Sequence, residues 1–192
     1  MTDQPSRPGR KRSAQSRDAI LVATLELIVE VGYAGLTIEG IAARSGAGKQ
    51  TVYRWWPSKA DVLMEALATK ADLIVPVPDH GSFAEDLREF LVATFALGRK
   101  QPVADTLRAL MAQAQLDPVF GDRFREDFLS RRRDVLDRIV ARAVDRDELP
   151  DGVARGTVLD VVFGTLWYRL LATHEPLGPE LADELVALLA TA

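Results

Sequence analysis

Residues 37–59 read TIEGIAARSGAGKQTVYRWWPSK, and this stretch decides how the rest of the chain is read. Thr37 is a predicted N-cap for a short helix with Ile38, Ile41 and Ala42 on one face, which Gly46 stops. Residues 48–55 form a second short helix, closed by Pro57. Between the two lies Gly46-Ala47-Gly48, a glycine-containing turn that suits two helices meeting at a steep angle. Ile38, Ile41, Ala42 and Val52 are predicted to hold that angle, with Ala42 and Ala43 small enough for close approach. The second helix then displays Lys49, Gln50, Thr51, Tyr53, Arg54 and Trp55 within two turns, side chains of long reach and rich hydrogen-bonding capacity.

Those residue types suit a DNA groove. Lys49 and Gln50 stand at the end of the helix that enters a major groove first. Lysine donates to guanine O6 and N7, and glutamine pairs bidentately with adenine. Thr51, Tyr53 and Lys59 have the chemistry of phosphate contacts, as does Thr37 at a helix N-terminus, where free N–H groups favour an anion. Trp55 suits a thymine methyl or a sugar, and Trp56 is expected to pack inward. Gly48 caps the reading helix.

Working outward, nearly every segment has helical periodicity. Ile20, Thr24, Leu27, Ile28 and Val31 mark an amphipathic helix over about 14–31, followed by Gly32. Ser58 and Asp61 have capping-box spacing and open a helix to about Ile74, before Pro76 and Pro78 break the chain. Ser82 and Glu85 repeat that spacing ahead of a helix through Leu97. Further helices are predicted over about 102–115, from Asp117-Pro118 to about Val144, over about 152–172, and from Gly178-Pro179 to Leu189. No segment has strand periodicity between hairpin turns, so the expected fold class is all-α, with about nine helices.

The segment 14–68 resembles the N-terminal DNA-binding domain of the TetR family of transcriptional regulators. The resemblance rests on Gly32-Tyr33, Leu36-Thr37, Ile41-Ala42, Gly46, Thr51-Val52-Tyr53 and Trp56-Pro57-Ser58-Lys59. Gly48 departs from the pattern where the family often has a serine cap, and Trp55 is bulkier than the usual residue. The resemblance implies a helix-turn-helix domain over 14–60 and a helical body over 61–192 that binds a small ligand and forms a homodimer. It implies a repressor that leaves a palindromic operator when the ligand binds. The alternative is an architectural or constitutive DNA-binding factor with no small-molecule switch.

Charge fits a division of labour. The 192 residues carry a net charge of −4, but residues 1–60 hold nine basic and five acidic side chains and residues 61–192 hold fifteen and twenty-three. The first part is therefore +4 and the second −8, a basic reader on an acidic body. Residues 1–13 add Arg7, Arg10, Lys11 and Arg12 among Pro and Gly, readable as a flexible arm for the minor groove or as a solvated tail. Either way, affinity should depend on salt.

The body offers weaker signals. Leu159, Phe163, Gly164, Leu166 and Leu170, with neighbours that make the helix apolar all round, and Leu181, Leu185 and Leu188 are the candidate dimer interface. Phe90, Phe95, Leu107, Met111, Phe124, Phe128 and Trp167 are candidates for a pocket taking a small apolar or amphipathic ligand. The stripe Phe120, Phe124, Phe128 continues at Val135 and Ile139, with Arg131 or Arg132 between; one of them faces inward or both run to solvent.

Enzymatic chemistry has little material. There is no cysteine, His80 and His174 are far apart, and no glycine-rich phosphate loop occurs. No catalytic residue, metal ligand or cofactor is expected. No apolar run approaches the ~18 residues that span a bilayer, and a cytoplasmic protein with no membrane partner is expected.

Overall fold

The computed structural model describes the backbone of residues 8–191 and the side chains of residues 14–191. All regular structure among them is helical. The elements are α1 (Pro8–Gly35), α2 (Ile38–Ser45), α3 (Lys49–Trp55), α4 (Lys59–Ile74), α5 (Phe83–Gly98), α6 (Gln101–Leu116), α7 (Pro118–Arg123), α8 (Ser130–Asp145), α9 (Arg155–Tyr168) and α10 (Pro179–Leu189). A π-helical turn, Phe124–Leu129, joins α7 to α8 without a break, so 118–145 is one continuous rod, as its Asp117-Pro118 start predicts. A second π turn, Arg169–Thr173, extends α9 and ends at His174 in the left-handed region.

Local chemistry explains the boundaries. Thr37 Oγ1 accepts from Gly40 N at 3.0 Å, and Asp117 Oδ1 accepts from Phe120 N at 3.1 Å. Ser58 and Asp61 form a reciprocal box, Ser58 N donating to Asp61 Oδ2 at 3.0 Å and Asp61 N to Ser58 Oγ at 3.4 Å. Gly32 takes φ 65° and kinks α1 at the position where the periodicity stops. Past Leu27 and Ile28 the buried face runs out, and Val31 is exposed.

Two readings are corrected. Among the described residues the helix begins at Pro8 and not near residue 14: proline is pre-set for the first helical turn, and beyond Gly9 come Arg10, Lys11 and Arg12, good helix formers. Arg7 lies outside the described residues, as do the side chains of Arg10, Lys11 and Arg12. The division between compact units falls after Leu67 and not after residue 60. Its cause is that Val62, Leu63 and Ala66, in the first half of α4, are buried in the N-terminal core with Ile20, Leu36, Ile41 and Val52.

The C-terminal unit has its own core. Phe83, Leu87, Leu91 and Phe95 of α5 meet Leu136, Ile139 and Val140 of α8, Val158 and Val162 of α9, and Leu181 and Leu185 of α10. Beside it, Phe120, Phe124 and Phe128 stack with centroids 6.0 and 5.3 Å apart and planes within 19° and 8° of parallel. Ser130 Oγ donates to Arg125 O at 2.8 Å where the π turn closes.

Candidate nucleic-acid interface

The site is built on one buried residue. Val52 of α3 is fully buried against Ile38, Ile41 and Ala42 of α2, which fixes the rotation of α3. Lys49, Gln50, Tyr53 and Arg54 then fall on the opposite side and are exposed, Tyr53 by 53%. Gly46 takes φ 69°, the left-handed geometry that ends α2 and turns the chain within two residues of α3. Gly48 is the α3 cap, without a side-chain hydrogen bond.

Ion pairs hold the presenting helices. Arg44 of α2 donates to both carboxylate oxygens of Glu30 on α1, at 2.8 and 2.7 Å, and lies 3.4 Å from Glu26. The hydrogen bond from Arg44 holds the Glu30 carboxyl below the usual carboxylate range and raises Arg44 in turn. Lys49 Nζ meets Glu39 Oε1 at 2.8 Å, and that hydrogen bond likewise lowers Glu39. Arg54 lies over the Trp55 ring at 5.3 Å, and Trp55 meets Trp56 edge to face at 5.4 Å.

Trp56 does pack inward. It is 3% exposed, and its Nε1 donates to Glu65 Oε2 at 2.8 Å. Arg17 of α1 reaches Glu65 at 2.6 Å and sits 5.8 Å from the Trp56 ring centroid. Lys59 also turns inward. Its ammonium donates to Tyr33 O at 2.8 Å and Leu36 O at 3.0 Å, across the end of α1, and lies 4.5 Å from the Tyr33 ring centroid. Two of its three N–H groups thus serve the fold. Thr37 Oγ1 accepts within its cap and keeps its own proton to donate, while Thr51 is half-buried. Glu39, Arg44 and Arg17 had no motif to mark them; their partners lie 10 to 48 residues away along the chain.

The C-terminal candidates divide differently. Leu159, Leu166, Leu170, Leu181 and Leu185 are buried in the chain's own core. Phe163 is half-buried, and Gly164 and Leu188 are exposed, Leu188 by 64%. Phe90 and Phe95 belong to the main core. Leu107, Phe124 and Phe128 are buried, whereas Met111 and Trp167 are half-buried; Trp167 meets Phe124 edge to face at 6.4 Å. An open groove of about 840 Å³ lies elsewhere, floored by Ile74, Pro76, Val92, Ala93 and Ala96 and edged by His80, Glu85, Arg88 and Glu89. None of the seven candidate lining residues borders it.

The arginine question is resolved by burial. Arg132 has a side chain only 13% exposed and is ion-paired with Asp72 of α4, while Arg131 is 53% exposed and reaches the same carboxylate. No group of three His, Cys, Asp or Glu among the described residues could hold a metal, and no described helix is long and apolar enough to cross a membrane.

Comparison with known proteins gives a consistent result. Residues 20–66 match the family described as bacterial regulatory proteins, tetR family, and residues 77–189 match the Tetracyclin repressor-like C-terminal domain. The chain is 30% identical to the uncharacterized HTH-type transcriptional regulator YdeS of Bacillus subtilis, covering 94% of this chain and 91% of that protein. It is 31% identical to a DNA-binding transcriptional repressor TetR of Mycobacteroides abscessus, over 84% and 83% of the two chains. The crystal structure of the TetR family transcription regulator SCO0332 aligns with a TM-score of 0.81 at 28% identity, covering 90% of this chain and 95% of that one.

Proposed function

Because the chain belongs to the TetR family of DNA-binding transcriptional regulators, a family that is not enzymatic, we propose that it is a homodimeric repressor released from a palindromic operator by a small molecule. One observation carries the DNA-reading part. α3 is locked in rotation by buried Val52 and turns Lys49, Gln50, Tyr53 and Arg54 outward together.

In this reading α3 lies in the major groove. Lys49 and Gln50 meet base edges, while Tyr53, Arg54, Thr51 and the Thr37 hydroxyl meet phosphates. Lys59 contributes mainly by holding the end of α1 in place, through its bonds to Tyr33 and Leu36. Two copies set their reading helices one turn of DNA apart, about 34–36 Å. The molecule works in the cytoplasm, where that DNA is.

The dimer face we propose uses what α9, its π extension and α10 leave outside the core. Tyr168 is 63% exposed, and Leu171, Leu188 and Gly164 are exposed beside half-buried Phe163. Repression is supported by the similarity to a named repressor, and ligand release by the match to a Tetracyclin repressor-like C-terminal domain. A ligand acts by binding one state of the dimer better than the state that fits the operator.

Selection of bound duplexes from a random pool tests this directly. A palindrome with half-sites about one helical turn apart is expected; recovery of duplexes sharing no motif would refute sequence-specific reading.

A further inference from the structure

The seven-residue helix α3 has a single buried residue, Val52, and a helix held at one point is fixed in rotation but not in tilt. Its second anchor is Trp56, the residue that closes it. Trp56 is 3% exposed, and its backbone N–H donates to Val52 O at 3.0 Å. A buried indole N–H needs an acceptor. Here the acceptor is Glu65 of α4, whose Oε2 accepts from Trp56 Nε1 at 2.8 Å. The other carboxylate oxygen, Oε1, is buried and pairs with Arg17 Nη2 of α1 at 2.6 Å. Arg17 also lies over the Trp56 ring, 5.8 Å from its centroid. One carboxylate thus joins α1, α4 and the end of α3, all within the N-terminal unit.

We propose that Glu65 is a positioning residue for DNA reading, which sets the Trp56 indole and, through Trp55, the guanidinium of Arg54. This rests on the reading above in which the exposed face of α3 meets DNA. The chain of contacts is continuous. Trp55 meets Trp56 edge to face at 5.4 Å with planes 88° apart, and Arg54 lies over the Trp55 ring at 5.3 Å. An edge-to-face pair depends on the orientation of both rings, so an indole that turns takes Trp55 with it. Arg54, exposed on the side opposite Val52, then loses the ring that orients it. The same anchor limits the tilt of α3, and with it the depth at which Lys49 and Gln50 enter a groove.

Charge explains why the acceptor is a carboxylate. An ionised acceptor holds an N–H roughly twice as strongly as a neutral one. A carboxylate only 24% exposed is costly without a cation, and Arg17 supplies it. Glu65 itself repels phosphate, so it serves binding through the groups it holds and not by contact. Its two attributes therefore act with opposite signs. Removing the charge favours DNA of every sequence, whereas removing the acceptor disfavours the operator alone.

Glu65→Met and Glu65→Gln test the assignment in the full chain. The two side chains are of similar length and bulk, and only glutamine keeps an oxygen for Trp56 Nε1. Anisotropy titrations on a selected duplex and a scrambled one give the ratio of affinities. Proton NMR of the Trp56 indole N–H, assigned with Trp56→Phe, reads the bond itself. Glu65→Met should lower the ratio about three- to tenfold, with no loss on the scrambled duplex, and move the indole resonance upfield. Glu65→Gln should stay within about twofold of the wild-type ratio and hold the resonance downfield. Partial unfolding lowers both affinities together, so a changed ratio is not a stability effect. Trp56→Phe removes the N–H from the other side and should lower the ratio likewise, which carries the test should Glu65→Met fail to fold. The inference is overturned by a wild-type ratio in Glu65→Met, by equal losses in the methionine and glutamine variants, or by an indole resonance that Glu65→Met leaves in place. Lys49→Ala and Gln50→Ala on the same duplexes separate it from the reading of α3. If they lower the ratio and Glu65→Met does not, this inference alone fails; if none lowers it, or no common motif is selected, the reading fails and takes the inference with it.

Discussion

Glu39 of α2 and Lys49 of α3 are joined at 2.8 Å across the turn between their helices. The pair ties up the first cation of the reading face and sets a negative charge beside it. Both side chains are more than half exposed, so the pair adds little to stability. In the function proposed above its consequence is for recognition: DNA competes with Glu39 for Lys49.

Glu39→Gln should therefore tighten binding to DNA of any sequence. An increase of about three- to tenfold on a scrambled duplex at low salt is expected, with the slope of log affinity against log salt steeper by about one. Fluorescence anisotropy across a salt series reads both quantities. Unchanged affinity and slope would mean that the negative charge of Glu39 does not oppose DNA binding.

Lys59→Ala should act first on stability. The substitution removes charge-assisted hydrogen bonds to Tyr33 and Leu36 and the contact with the Tyr33 ring, at a cost of about 1–2 kcal/mol in a half-exposed setting. Urea denaturation followed by circular dichroism measures it. A variant as stable as the wild type but weaker on DNA would return Lys59 to a direct phosphate role.

His80 lies 2.6 Å from Glu89 at the edge of the groove, and the hydrogen bond its ring donates to Glu89 raises its pKa above the ordinary value of about 6.5. A raised value in the folded state means that the pair's contribution is complete below about pH 6.5 and is lost as pH rises through the folded-state value. NMR titration of the His80 ring should give a midpoint above about 6.5, which Glu89→Gln lowers. A midpoint that ignores Glu89→Gln would show that the pair does not form in solution.

The parts legible in the sequence are those governed by neighbours along the chain. Thr37, Ser58 with Asp61, and Asp117 cap helices through hydrogen bonds three residues long, so residue type and spacing suffice. The exposed face of α3 is legible for the same reason, since burying Val52 dictates where its neighbours point. Lys59 was not legible as a brace, because the carbonyls of Tyr33 and Leu36 lie 26 and 23 residues away. Periodicity showed that Leu159, Leu166, Leu170, Leu181 and Leu185 are buried but not against what, and the chain's own core claims them. Arg131 and Arg132 could not be separated by counting, because the choice depends on the inward stripe crossing the π turn before α8.

In the proposed function the exposed face of α3 reads base sequence. It is tested most directly by anisotropy titrations of the wild type, Lys49→Ala and Gln50→Ala on a selected operator and on a scrambled duplex of equal length. Both side chains are exposed and lie outside the core, so each variant should fold as the wild type does. Each should lose about 1–3 kcal/mol on the operator, with a much smaller loss on the scrambled duplex. Operator affinity equal to the wild type in both variants would contradict the account.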